Sequence, residues 1–268
     1  EVVRASGLKV MGTLPLLPSG RRTEGQRDGG VNWQSLLLES VDMMRTALLH
    51  VARVEGVRVV MVTSAVGGEG KTSLSSHLAT SLARAGRNTL LIDCDLRKPS
   101  LHRVFELPRP EGVCEVLRGE LGAAEAIQST PTAPGLSLIA GGQCEDRALA
   151  VLAQGGLAAV LAPLRDRYDF IILDSSPVLP VVDALLVAQE ADGVLFSILR
   201  DVSQVGRINA AHERLAMLGI RSLGAVVTGV SGDLYYGANY RYLKKGGAAE
   251  GAAGAEGPSD GDPVEKES

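Results

Sequence analysis

Three consecutive residues, Gly70-Lys71-Thr72, close a glycine-rich segment that reads Ser64-Ala65-Val66-Gly67-Gly68-Glu69-Gly70-Lys71-Thr72. This is the pattern of a phosphate-binding loop, with Ala65 where the motif carries its first glycine. Glycines let backbone N–H groups converge on phosphate oxygens, and a following helix N-terminus adds its positive dipole. Lys71 is placed to reach the β- and γ-phosphates and Thr72 to ligate Mg²⁺, so the nucleotide-contacting stretch is read as Gly67, Gly68, Glu69, Gly70, Lys71, Thr72 and Ser73. Two apolar runs end in acids, Leu90-Leu91-Ile92-Asp93-Cys94-Asp95 and Phe170-Ile171-Ile172-Leu173-Asp174. Ligands of open α/β sheets collect beyond the carboxyl ends of the strands, so all three carboxylates are expected at the phosphate loop. Thr72, Asp95 and Asp174 then form the expected metal set, and Asp93 accepts the proton of an attacking hydroxyl.

These residues need a scaffold that brings them together. Val57–Thr63 reads as a buried strand, Thr72–Ala85 as a helix with Leu74, Leu78 and Leu82 on one face, and Asn88–Asp93 as a second strand. Further strands are expected at 136–140, 170–174, 193–199 and 223–230, with helices at 147–164, 182–189 and 204–218. A helix from Asn32 carries a stripe of Leu37, Val41, Met44, Leu48 and Val51 at spacings of three and four. Short apolar strands alternating with helices predict an α/β fold: one P-loop NTPase domain, a mostly parallel sheet with helices on both faces. Residues 1–31 read as an extended lead-in, with Pro18–Gly30 a loop, and 32–234 as the domain. The segment 235–245 holds a tyrosine cluster, and 246–268, almost without apolar residues, reads as a disordered tail.

Composition sets limits on partners. Lys and Arg total 27 against 31 Asp and Glu, a net charge of -4, which excludes a globally basic nucleic-acid binder. Six acids against one base fall after residue 245, so the acidity belongs to the tail and the rest is close to neutral. Cys94, Cys114 and Cys144 form no C-x-x-C pair, which argues against a disulfide framework or a zinc site. None of the histidines (His50, His77, His102, His212) has a convincing catalytic partner in sequence.

The set resembles the bacterial tyrosine kinases, the cytoplasmic kinases of capsular and exopolysaccharide chain-length control. Gly68–Thr72 matches their G-E-G-K-T loop, and Leu90–Arg97 followed by Pro99-Ser100-Leu101-His102 matches their apolar triplet and D-x-D-x-R motif. Glu111-Gly112-Val113, Val116–Glu120, Asp183-Ala184-Leu185 and Asp192-Gly193-Val194 also resemble the family. The resemblance implies an ATP- and Mg²⁺-dependent enzyme with Lys71, Asp93, Asp95 and Arg97 as catalytic residues. It implies phosphoacceptors at Tyr235, Tyr236, Tyr240 and Tyr242, four of the five tyrosines in the chain. Val10–Pro15 resembles the family's membrane-proximal linker. The implied setting is therefore a cytoplasmic domain joined to a membrane polysaccharide co-polymerase segment in cis, or paired with a membrane activator in trans, with a tyrosine phosphatase opposing it.

Three departures accompany the match. The family's assembly motif E-x-x-R-x-x-R-T-N keeps Glu39, Arg45 and Thr46, but Asp42 replaces an arginine and Ala47 the asparagine, which puts the expected ring or dimer in doubt. Ser175-Ser176-Pro177 stands for the usual T-P-P, and Thr228 for a frequent asparagine. Two competing functions are a partitioning- or division-site-type regulatory ATPase and a nucleotide-binding scaffold without kinase activity. The first carries a signature lysine where this chain has Val66, and the intact Lys71, Asp93, Asp95 and Asp174 count against the second.

Overall fold

The apolar runs become strands in which every residue is buried: β2 (Val59–Thr63), β3 (Thr89–Cys94) and β6 (Phe170–Ser175). A computed structural model describes residues 7–15 and 33–230. It adds strands β1 (Val10–Pro15), β4 (Gln128–Ser129), β5 (Leu136–Ile139), β7 (Gly193–Leu199) and β8 (Ser222–Val230). The helices are α1 (Trp33–Glu55), α2 (Lys71–Arg84), α3 (Leu101–Val104), α4 (Val113–Arg118), α5 (Asp146–Ala153), α6 (Gly156–Arg165), α7 (Asp183–Gln189) and α8 (Val205–Met217). Asn32, the Pro18–Gly30 loop, the tyrosine cluster and the tail lie outside the described residues.

The strands form an eight-stranded sheet in the order β1-β8-β7-β2-β6-β3-β5-β4. Its pairings are parallel except β4 with β5. Alternation along each strand divides the core in two. Val59 and Met61 of β2 pack with Leu152, Leu161, Val187 and Ile208 from α5 to α8. Val60 and Val62 face the other way, against Met44 and Leu48 of α1 and Leu74, Leu78 and Leu82 of α2. In α1 the buried stripe is Leu36, Ser40, Val41, Met44 and Leu48, so Leu37 and Val51 lie at its margin.

Three details go beyond the sequence reading. Residues 10–15 of the lead-in are an edge strand, paired in parallel with β8 from Val10↔Ala225 to Pro15↔Val230. The single helix expected at 147–164 is two, broken where Gly155 takes a left-handed φ of 80°. A Cβ at Gly156 would come within 2.5 Å of Val151, so the next helix can start this close to α5 only from a glycine. Asp42 is not a free charge. It accepts hydrogen bonds from Ser81 Oγ (2.7 Å) and Arg45 (2.8 Å), and from Arg84, joining α1 to α2. Burial alone would raise its pKa, but the Ser81 hydrogen bond and the two guanidinium groups prevail and hold it below the ordinary value.

A short helix was hidden in the 111–120 segment. The Glu115 carboxylate accepts the N–H of Gly112 (2.7 Å), which starts α4, and the N–H of Gln143 (2.9 Å), which ties α4 to the loop after β5. The approach is so close that a Cβ at Gly112 would sit 1.8 Å from the Ala140 carbonyl oxygen. Gly112→Ala is therefore expected to cost about 2 kcal/mol or more and lower Tm by roughly 4–8 °C. Thermal unfolding followed by circular dichroism measures this, and an unchanged Tm would contradict the close packing.

Candidate active site

The phosphate loop leaves β2 at Thr63 and enters α2 at Lys71. Gly68 and Gly70 both adopt left-handed backbone (φ 82° and 81°), a conformation that costs other residues about 1 kcal/mol or more. Gly70 is the N-cap of α2, and no side chain caps the helix, so the first N–H groups stay open to an anion. Ala65, in place of the motif's first glycine, is buried, and its carbonyl accepts the N–H of Leu179 at 3.1 Å. Ser64 accepts Val178 N–H at 2.9 Å, and Ser175 Oγ donates to the Val62 carbonyl at 2.9 Å. The loop and the segment after β6 are thus stitched into one wall.

Glu69 is turned inward. Its Oε2 accepts the Val66 N–H (2.9 Å), its Oε1 accepts the Ser203 hydroxyl, and its carbonyl accepts the Ser197 hydroxyl (2.6 Å). The carboxylate therefore holds the curl of the loop against β7 and the turn before α8. Sequence reading placed Glu69 among the nucleotide contacts and missed Ser197 and Ser203. No local signal marks those serines, which lie more than a hundred positions away.

Asp93 and Asp174 are cross-strand partners in the β3–β6 register. On β3, Leu91 faces α2, and on β6, Ile172 does, so two residues further each aspartate emerges on that same face. Both are fully buried. Asp93 Oδ2 accepts the N–H groups of Ser100 (2.7 Å) and Leu101 (2.9 Å), and Oδ1 accepts that of Asp95 (3.2 Å). Burial pushes its pKa up to about 6, with those three hydrogen bonds restraining the rise. Asp174 is different: neither oxygen has a hydrogen-bond partner of good geometry. Burial and then the charge of Asp93 push it up to about 7, with Thr72, Lys71 and Ser75 near enough to restrain it in part.

A desolvated carboxylate with two unsatisfied oxygens beside a threonine hydroxyl is a donor set that suits a hard cation, so the residues fit Mg²⁺. Among the described residues no cluster of three or more His, Cys, Asp or Glu could hold a metal alone. Asp95 is partly exposed, and its Oδ1 accepts the Lys98 N–H at 3.2 Å. Arg97 follows it and pairs with Asp183 at the start of α7, Nε to Oδ2 at 2.6 Å. Lys71 is buried, Thr72 partly so, and Ser73 exposed. A cavity of about 220 Å³ adjoins the loop, lined by Leu14, Pro15, Gly70, Ser73, His77 and Thr228. Burial lowers the pKa of His77 there.

The raised Asp174 pKa makes a prediction for the nucleotide-free protein. The folded chain retains a proton up to about pH 7 that the unfolded chain gives up near the ordinary value of 3.8. Stability therefore falls as pH rises between those values and stays low above them. Asp174→Asn removes that loss: without divalent cations its Tm is expected to exceed the parent's at pH 8, by an amount worth at most a few kcal/mol, and to converge with it near pH 4. Parallel melts across pH 4–8 would refute this if the parent were the more stable at pH 8.

The sequence matches the CobQ/CobB/MinD/ParA nucleotide binding domain over residues 60–248. Tyrosine-protein kinase YwqD of Bacillus subtilis is 30% identical over 217 residues, 79% of this chain and 91% of its own length. Putative tyrosine-protein kinase EpsB of Ralstonia nicotianae is 28% identical over 97% of this chain, which spans 36% of that protein's length. The kinase domain of Escherichia coli tyrosine kinase ETK superposes with a TM-score of 0.78 at 26% identity, covering 87% of this chain and 94% of that one. With the phosphate loop and its paired aspartates in place, these matches show that the chain belongs to the CobQ/CobB/MinD/ParA nucleotide-binding family and, within it, to the bacterial tyrosine kinases.

Proposed function

We propose that the chain transfers the γ-phosphoryl group of ATP to tyrosine. Its first acceptors are its own Tyr235, Tyr236, Tyr240 and Tyr242, and the activity regulates capsular or exopolysaccharide polymerisation and export. The observation that carries this reading is the unpartnered Asp174 carboxylate, set in register with Asp93 beside Lys71 and Thr72. The names of the relatives support tyrosine as the acceptor.

Phosphoryl transfer asks a protein mainly for positioning and charge. The open α2 N-terminus and the left-handed glycines present N–H groups to the phosphates, and Lys71 offsets charge on the transferred group. Bound Mg²⁺, held by Thr72, Asp95 and Asp174, would neutralise charge between the phosphates. Asp93 Oδ1, engaged only by the long Asp95 contact, is the atom left to take the phenol proton, and a pKa near 6 suits that transfer at neutral pH. Arg97 keeps its charge on the loop after Asp95, anchored by Asp183. A membrane co-polymerase segment in cis or an activator in trans, and an opposing phosphatase, are the partners this reading implies. Self-association by the family's helix motif is altered here, because Asp42 binds Arg45 within the chain.

Incubation of the purified chain with ATP and Mg²⁺, followed by mass spectrometry, tests the proposal. Phosphate is expected on residues 235–242 and is expected to fall at least about a hundredfold in Lys71→Met, which removes the charge aimed at the transferred group. ATP hydrolysis without phosphotyrosine, with the upstream segment or activator supplied, would point to a regulatory ATPase instead.

A further inference from the structure

The amino ends of the strands form the pole opposite the phosphate loop, separated from it by the length of β2, about 17 Å. A cavity of about 570 Å³ opens there. His50 and Arg53 of the last turns of α1, Arg58 before β2 and Arg87 before β3 line it, with Asp169 and Phe170 at the start of β6. The residues lining one concavity thus include three arginines, a histidine and a single acid.

That acid offsets one charge and forms no ion pair with the arginines. Asp169 Oδ2 accepts the N–H of Asn88 at 3.0 Å, and no acid among the described residues forms an ion pair with Arg53, Arg58 or Arg87. Among the described residues the three share one side-chain hydrogen bond, a long one of 3.5 Å from Arg58 to the Arg165 carbonyl. Several other arginines do find acids, Arg45 and Arg84 at Asp42, Arg97 at Asp183, Arg118 at Glu115 and Glu120, and Arg165 at Asp192; what sets Arg53, Arg58 and Arg87 apart is that they line one cavity. The dipole of α1 gives Arg53 a structural reason to lie at that helix end, but Arg58 and Arg87 are outside any helix.

Like charges around one cavity repel, and an anion relieves them. Guanidinium forks match phosphate oxygens two at a time, and the volume is in the ordinary range for a small-molecule site. We propose that this groove is a second anion site, independent of the nucleotide site, which takes a phosphate group on Arg53, Arg58 and Arg87. A soluble phosphorylated compound and the headgroup of an anionic lipid share that chemistry.

The full chain, saturated with Mg·ADP so that the phosphate loop is filled, is titrated with pyrophosphate by calorimetry. It is also sedimented with phosphatidylglycerol vesicles against phosphatidylcholine controls. Saturable binding is expected to at least one probe, and to weaken at least about tenfold in Arg58→Gln/Arg87→Gln, with ADP affinity and Tm unchanged. The charge-keeping pair Arg58→Lys/Arg87→Lys is expected to lose less. Pyrophosphate binding alone identifies a soluble ligand, and vesicle binding alone identifies a headgroup. Binding to neither probe, or binding that the glutamine variant leaves intact, overturns the proposal.

Discussion

The site rests on one constraint, the register of two parallel strands. Asp93 and Asp174 are paired across β3 and β6 and buried on one face, Asp174 beside the N-terminus of α2. Two carboxylates in that position cannot both be comfortably charged without positive compensation. The fold treats them unequally. Asp93 is given three backbone N–H groups and in return shapes the loop from Asp95 to Leu101. Asp174 is given none and keeps both oxygens for whatever enters the site. The difference in partners gives Asp93 a task in shaping the loop and leaves Asp174 without one.

The same economy of charge appears around the phosphate loop and at the α1–α2 contact. Glu69 sits in a loop built to receive phosphate, yet its own charge is directed away, into hydrogen bonds with Val66 and Ser203. It shapes the loop without repelling the ligand. Asp42, an acid where the resemblance leads one to expect arginine, is paired inside the chain with Arg45 and Arg84. Its charge is met by contacts that join α1 to α2. The arginines at the far pole of the sheet differ in being gathered around one cavity without an ion pair among the described residues.

Much of the architecture was legible because each feature has a local cause. The phosphate loop announces itself by glycines followed by Lys71-Thr72, and the strands by apolar runs long enough to cross a sheet. The helix drawn through 147–164 was wrong at Gln154-Gly155-Gly156, where the glycine pair did carry the warning. The helix at 113–118 was missed because it is short and is held by Glu115 reaching a loop twenty-eight positions on. Residues 10–15 read as a lead-in because the hydrogen bonds that make them a strand come from β8, at the other end of the described chain.

The sequence by itself determined the fold class, the phosphate loop and the identity of the acids near it, since composition, periodicity and spacing act over a few residues. Only the tertiary structure decided how those acids differ. The pairing of Asp93 with Asp174, the inward turn of Glu69 onto Ser203, the capture of Arg97 by Asp183 and the unpaired arginines around one groove join residues far apart in the chain. Burial and register, which set each group's charge and partners, exist only once the sheet has formed.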